Sequence, residues 1–113
     1  MIKVKDFINM AFSYEDGMLI RDKISEALAT EQPLEIDFEG ITVFTTMFFN
    51  ACLGHFVFTN SIEWYEKTIK VINLNQMGIE THKHSIENAQ KRRIEKKSSI
   101  SSEITKKTII DNA

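Results

Sequence analysis

Hydrophobic and polar positions alternate with two different periods along the chain, and the changes of period mark its elements. Residues 34–38 alternate apolar with acidic side chains and end at Gly40, which predicts a strand. Residues 69–74 predict another strand. Residues 2–8 mix β-branched with charged positions and predict a first strand, while residues 12–14 are a weaker candidate. The pattern therefore predicts a sheet of short strands.

Between these strands the apolar residues recur every three or four positions, which is the spacing of a helix. Residues 18–30 show this spacing with polar side chains on the other face. Residues 47–58 form an apolar run that is too long for a typical strand, so we expect one helix there, capped by Thr45 or Thr46. A last helix is expected over residues 77–93. Strands that alternate with helices in this way are typical of an α/β layer sandwich, and right-handed crossovers make the second and third strands parallel neighbours.

The composition fits one globular domain and excludes several classes of protein. The chain has 113 residues, of which 42% are apolar and 27% are charged. Its single Cys excludes a disulfide framework and a four-cysteine zinc site. No apolar run reaches the ~18 residues of a membrane span, and residues 1–6 hold no apolar signal core, so we expect a cytoplasmic protein without membrane contact.

The charge is divided unevenly between the two ends of the chain. Residues 1–84 carry 7 Lys and Arg against 12 Asp and Glu, whereas residues 85–113 carry 7 against 4. An acidic body with a basic appendage is the pattern of a compact domain followed by a solvated segment. We therefore predict a domain over residues 1–92 and a basic, serine-rich helix or tail, ordered or disordered, over residues 93–113.

The predicted helix over residues 47–58 carries apolar side chains on more than one face. One stripe includes Phe48 and Cys52, and another includes Phe49 and Leu53. Because a helix on a sheet needs one stripe, the second must be covered by another helix of this chain, covered by a partner or left exposed. If a partner covers it, the contacts are expected among Phe44, Thr45, Thr46, Met47, Phe48, Phe49 and Phe56.

The order of motifs in this region resembles a known family. Asp-Phe-Glu-Gly-Ile at residues 37–41, Thr-Thr-Met-Phe-Phe-Asn at residues 45–50 and Leu53-Gly54 are similar to the STAS-like bacterial domains of unknown function. Those domains are relatives of the STAS fold found in anti-sigma factor antagonists, and the resemblance covers about residues 12–75. It implies a mostly parallel sheet with helices packed on one side.

The resemblance also implies a non-enzymatic regulatory module that binds a partner protein. The related antagonists bind a histidine-kinase-like ATPase and are switched by phosphorylation of a Ser at the start of the helix after this strand. The acceptor position falls on Met47, which has no hydroxyl, so Thr46 and Thr45 are the candidate phosphorylation sites, with helix capping as their alternative role. Asp37 and Gly40 are expected to shape the loop. The expected partner is such an ATPase or a second copy of this chain.

Other chemistries find less support in the sequence. No set of His, Cys and carboxylate residues has the spacing of a metal site, and no phosphate-binding or nucleophile motif is present, so we expect no metal, no cofactor and no enzyme. The basic run at residues 91–97 offers an alternative, which is association with nucleic acid through phosphate contacts. No aromatic residue interrupts this run, so base stacking is not predicted.

Overall fold

Strands and helices alternate along the computed structural model, which describes the backbone of residues 1–111 and the side chains of residues 1–96. Within those residues the order is β1 (Ile2–Lys3), α1 (Tyr14–Leu28), β2 (Leu34–Asp37), α2 (Thr46–Ala51), α3 (Leu53–Thr59), α4 (Ile62–Thr68), β3 (Ile69–Ile72) and α5 (Gln76–Asp111). A turn of 3-10 helix follows β1 directly.

The three strands of the described chain form one parallel sheet in the order β1, β2, β3. Leu34 of β2 pairs with Ile69 of β3, so the two strands are parallel neighbours as predicted. Side chains along β2 alternate between the two faces. Leu34 and Ile36 are buried beneath the helices, whereas Glu35 and its register partner Lys70 are exposed. The prediction of an α/β fold with helices on one side of a parallel sheet is confirmed.

The order of the strands explains why one face of the sheet stays open. Each crossover leads to the next strand in the same direction across the sheet, and parallel crossovers are right-handed. Helix α1 and the group α2–α4 therefore lie on one face, and α5 joins that layer by packing against α2 and α3. The opposite face is charged, with Lys3 beside Asp37 and Glu35 beside Lys70, so it can face water.

The N-terminal region differs from the prediction in two places. Strand β1 is shorter than predicted because a turn of 3-10 helix, Val4–Asp6, begins directly after it. Residues 12–14 form no strand, although Ala11 makes an isolated bridge to Phe44. The Ser13 hydroxyl instead caps α1 by accepting from the Asp16 N–H at 3.1 Å, so this helix begins earlier than its apolar spacing predicted.

The apolar segment after β2 is two helices, so the prediction of a single helix over residues 47–58 is wrong. Helix α2 ends at Ala51 and α3 begins at Leu53, with Cys52 between them at φ −98° and ψ −90°. The break changes the direction of the chain, so that α2 packs against α1 and α5, while α3 packs against α5 and α4. Both apolar stripes are thereby covered within the chain.

Two glycines set how closely these helices approach one another. A Cβ atom on Gly17 would lie 2.5 Å from the Phe48 carbonyl oxygen and 2.8 Å from the Ala51 Cβ. Helix α1 therefore reaches the backbone of α2 only because residue 17 has no side chain. A Cβ on Gly54 would lie 3.0 Å from the Ser85 Oγ, so α3 and α5 are close at that point as well.

Helix α5 extends beyond its predicted end at Arg93. Its backbone is helical as far as Asp111. The Arg93 guanidinium donates to the Phe58 carbonyl oxygen at 2.9 Å, so contacts with the body continue past residue 92, the predicted end of the domain. The side chains of residues 97–113, most of the predicted basic appendage, lie outside the described residues.

Replacing Gly17 with Ala is expected to destabilise the fold by about 1–3 kcal/mol, because the added methyl group meets backbone that cannot move aside easily. This loss exceeds the gain in helix propensity, which is about 1 kcal/mol. Urea denaturation measures it. The control is Ser25→Ala on the exposed face of the same helix, which should be neutral or slightly stabilising. Equal stability of Gly17→Ala and the wild type would contradict the close approach of α1 and α2.

Candidate functional site

The loop between β2 and α2, residues 38–45, leaves the carboxyl ends of the parallel strands, where α/β proteins commonly bind their ligands. The Asp37 carboxylate fixes the start of the loop by accepting from the Asn73 side-chain amide and the Glu39 backbone N–H, both at 2.9 Å. The Asn73 hydrogen bond, followed by that of Glu39, lowers the pKa of Asp37. Gly40 turns the loop with a φ of +86°, which favours glycine.

The end of the loop is held from two further directions. On one side the Ala11 N–H donates to the Val43 carbonyl oxygen at 3.0 Å, and the Thr45 N–H donates to the Ala11 carbonyl oxygen at 2.9 Å. On the other side the Asn75 side-chain amide donates to the Thr42 carbonyl oxygen at 3.1 Å. The loop therefore has a fixed shape between the N-terminal segment and the start of α5.

The two candidate hydroxyls have different surroundings. The Thr45 hydroxyl caps α2 by accepting from the Phe48 N–H at 3.1 Å, and it donates to the Phe12 carbonyl oxygen at 2.5 Å. Thr45 is therefore the N-cap of this helix, and Thr46 is its first residue. Thr46 is half-buried, and Met47 is 47% exposed.

Four of the aromatic residues predicted as partner contacts lie in the core instead. Phe48 and Phe49 are completely buried, and Phe44 and Phe56 are only 5% and 6% exposed. Phe56 is covered by α4, where the Trp64 ring stacks on it at 6.3 Å between centroids. The prediction that these side chains form the contact surface is therefore wrong for this conformation. The break at Cys52 lets the chain's own helices cover them.

Other apolar side chains are exposed around the same loop. In the bridge of Ala11 with Phe44 both side chains are buried, so their neighbours along the chain point outward. The start of helix α5 adds Met77, because residues on both sides of it contact the loop. The Asn75 side-chain amide donates to the Thr42 carbonyl oxygen, and Gly78 packs on the Phe44 ring. We call this surface the loop patch; its members, 38% to 53% exposed, are Met10, Phe12, Val43, Met47 and Met77.

Sequence reasoning found one member of the loop patch, Met47, and missed the other four. The alternation of Phe12 with Tyr14 was a signal that residues 10–12 are extended. Pairing of this segment with residues 43–45 is long-range, and no local pattern announces it. The patch is thus a product of the tertiary structure.

A protein-family model matches the part of the chain that contains the β2–α2 loop. A family model described as a STAS-like domain of unknown function matches residues 16–78, which is more than half of the 113 residues. The chain belongs to this family. The match runs from the first turn of α1 to the first turn of α5 and includes the whole β2–α2 loop. Searches of curated proteins and of solved structures give no match.

A second feature of the STAS-like domain is a groove of about 360 Å³ between α4 and α5. The Tyr65 hydroxyl and the His82 Nε2 are 2.7 Å apart at its wall. Burial lowers the pKa of His82 to about 4, so the imidazole is neutral near pH 7. A neutral imidazole can accept the phenol proton of Tyr65, which satisfies this buried hydroxyl. Lys83 and His84 are exposed.

The basic run of α5 makes contacts within the STAS-like domain. The Arg92 guanidinium and the Lys96 ammonium lie over the Phe58 ring, 5.3 Å and 5.2 Å from its centroid, and Arg93 bonds the Phe58 carbonyl oxygen. No aromatic residue lies near these cations along the chain, and their ring partner, Phe58, comes from α3. These contacts fasten α5 to the body.

Within the described side chains, no three His, Cys, Asp or Glu residues are placed to hold a metal ion. The Cys52 thiol is buried, and desolvation raises its pKa. No helix in the described part of the chain includes an 18-residue stretch apolar enough to span a bilayer.

Replacing Thr45 with Val is expected to cost about 1–2 kcal/mol of stability, because it removes the N-cap of α2 and the hydrogen bond to Phe12. Thr46→Val is the matched control, since it changes the neighbouring hydroxyl of the same helix and should shift stability by less than about 0.5 kcal/mol. Urea denaturation of both variants measures the difference. Equal effects would contradict the capping role of Thr45.

The stability of the domain is expected to fall as pH drops from about 6.5 to about 4. The unfolded chain takes up a proton on His82 in this range, whereas the folded chain, with the lower pKa, resists it. The loss amounts to roughly 3 kcal/mol. His82→Gln should remove this part of the pH dependence, while His84→Gln, at an exposed position, should retain it. Urea titrations at several pH values give the free energy of unfolding as a function of pH. If this free energy falls with pH equally for wild type and His82→Gln, the role of His82 is contradicted.

Proposed function

We propose that this STAS-like domain is a non-enzymatic regulatory module that binds a partner protein through the loop patch. The observation that carries the proposal is a set of five exposed apolar side chains around one loop that hydrogen bonds hold in place. Membership of the STAS-like family is consistent with it, because the chain resembles anti-sigma factor antagonists, which bind a partner protein and are switched at the start of the helix after the strand equivalent to β2.

The exposure of the loop patch argues for a contact rather than for ordinary surface. Single exposed apolar residues are common, but several around one feature mark interaction sites. The backbone of this loop is fixed by Ala11, Asn75 and Asp37 before any partner arrives. A preorganised surface loses less conformational entropy on binding, which favours affinity.

The proposed contact surface differs from the one that the sequence predicted. Of the residues predicted from the sequence only Met47 belongs to the loop patch, and its other members, Met10, Phe12, Val43 and Met77, replace the buried aromatic residues. If a hydroxyl here is phosphorylated, we infer that it is Thr46, since the Thr45 hydroxyl is engaged in two hydrogen bonds. A histidine-kinase-like ATPase is the partner class that the resemblance implies, with a second copy of this chain as the other.

Nucleic-acid association through residues 91–97 receives no comparable support. Arg92, Arg93 and Lys96 make contacts with Phe58 inside the chain, and these contacts account for their positions. We therefore keep protein binding as the proposed function.

Replacing Met47 with Asp is expected to abolish partner binding, because a charge would enter a desolvated apolar contact. The measurement is affinity capture from the source cells with wild-type and variant domains as bait, together with sedimentation of each to detect self-association. Phe12→Ser should act in the same direction with a smaller loss.

The control is Ile94→Ser, which removes an exposed apolar side chain that is 65% accessible on α5, far along the chain from the loop. This variant should retain whatever the wild type binds, and thermal melting should show that all variants are folded. A partner that survives Met47→Asp and Phe12→Ser but is lost with Ile94→Ser would place the contact surface elsewhere and refute the proposal.

A further inference from the structure

The charges around the loop patch narrow the chemistry of its partner. Resting on the proposed function, we propose that the loop patch receives a basic amphipathic helix of the partner protein, with its apolar face on the patch and Lys or Arg residues at its borders.

The segments that build the patch contain carboxylates and no cations. Residues 24–66 contain no Lys or Arg at all. The patch segments, residues 7–17, 38–50 and 71–80, likewise have no Lys or Arg. They hold four acidic residues, which are Glu15, Asp16, Glu39 and Glu80.

These carboxylates border the patch and are free to meet a cation. Glu15 and Asp16 lie in the first turn of α1, three and four residues after Phe12. Glu39 is exposed at the start of the loop, and Glu80 is exposed just after the first turn of α5, where it accepts a hydrogen bond from the Gln76 side-chain amide at 3.0 Å. None of the four forms an ion pair within the described residues.

Two lysines from outside the patch segments lie against them. The aliphatic stem of Lys5 lies against Gly40, where a Cβ would be 3.6 Å from it. The Lys23 ammonium lies over the Phe7 ring, 5.4 Å from its centroid. Neither lysine forms an ion pair with the four carboxylates within the described residues, and complementary charges from a partner would steer association and exclude wrong partners.

A helix suits the patch better than an added strand. The Ala11 and Thr45 N–H groups and the carbonyl oxygens of Ala11 and Val43 already bond one another, and the Thr42 carbonyl oxygen bonds Asn75. Little backbone is left here to pair with an extended peptide, so recognition falls to side chains. Three of the five patch residues are Met, whose unbranched side chains adapt to the apolar face of a bound helix.

A second copy of this chain is the competing occupant. Its body carries the same acidic surplus and would be repelled, but its residues 85–113 carry 7 Lys and Arg against 4 acidic residues. Docking of that basic segment on the patch of a neighbour would give a closed dimer where the exchange is reciprocal, and rings or open chains of molecules where it is head-to-tail. Association of this kind is visible as a concentration-dependent increase in mass.

The test uses the full chain and a fluorescently labelled synthetic peptide of Leu and Lys, spaced to give one apolar helix face. Two matched peptides accompany it: one with Glu in place of every Lys, and one with the same Leu and Lys in a scrambled order. Fluorescence anisotropy should show the amphipathic Leu–Lys peptide binding at least about tenfold more tightly than either. Binding should weaken as salt is raised.

Variants of the chain connect that binding to the patch. Met47→Asp should abolish binding of the Leu–Lys peptide. Asp16→Lys combined with Glu80→Lys should weaken it about tenfold and reduce its salt dependence, because two attractive charges are replaced by repulsive ones. The matched control reverses two acidic residues outside the patch segments, Glu26→Lys with Glu63→Lys, and should leave binding within about twofold of the wild type, because it keeps the same net charge change without touching the patch carboxylates.

Several outcomes would overturn the inference. The Glu peptide or the scrambled peptide would bind as tightly as the amphipathic Leu–Lys peptide, or Met47→Asp would leave the peptide affinity unchanged. Alternatively, the two charge-reversed pairs would have equal effects, or the chain would self-associate with rising concentration in a way that Met47→Asp abolishes. The inference alone fails if Met47→Asp loses a captured natural partner while the Leu–Lys peptide does not bind. The proposed function fails too if Met47→Asp changes neither the captured partner nor the peptide affinity.

Discussion

The packing of four phenylalanine rings around the end of β2 is the interaction on which the rest of the structure depends. Phe38 contacts Phe44, Phe48 and Phe49 with centroid separations of 5.9, 6.4 and 5.7 Å, and Phe44 stacks on Phe49 with an angle of 4° between rings. These rings join the sheet to the β2–α2 loop and to α2. Because Phe44 and Phe48 turn inward to this cluster, their neighbours Val43 and Met47 are exposed and contribute to the loop patch.

The break at Cys52 and the long helix α5 together bury the two apolar stripes of residues 47–58. A straight helix over residues 47–58 would leave one apolar stripe without a cover. The break points α2 and α3 in different directions, and α5 packs along both. Polar contacts fix its place, since the Ser85 hydroxyl donates to the Asn50 side-chain oxygen at 2.7 Å and Arg93 donates to Phe58. These contacts span 35 residues of sequence, so they depend on the whole fold.

The surface available for binding consists of the apolar residues that remain exposed once the core is filled. The large aromatic residues that look most like contact residues in the sequence are also the ones that best fill a core, because they bury the most apolar area. Smaller and more flexible apolar residues such as Met10 and Met47 are left around the loop. Under the proposed function, an apolar surface whose own segments contain carboxylates and no Lys or Arg would select partners by charge as well as by shape.

The α/β class, the parallel pairing of β2 with β3 and the loop–helix order after β2 follow from the amino-acid pattern, because period, caps and crossover handedness are local or nearly local rules. Thr45 could be foreseen as one of two caps for the same reason. The burial of Phe48 and Phe56, the helix break at Cys52 and the meeting of residues 10–12 with the loop depend on long-range packing. Periodicity counts the apolar faces of a segment, but burial depends on which distant elements arrive to cover them.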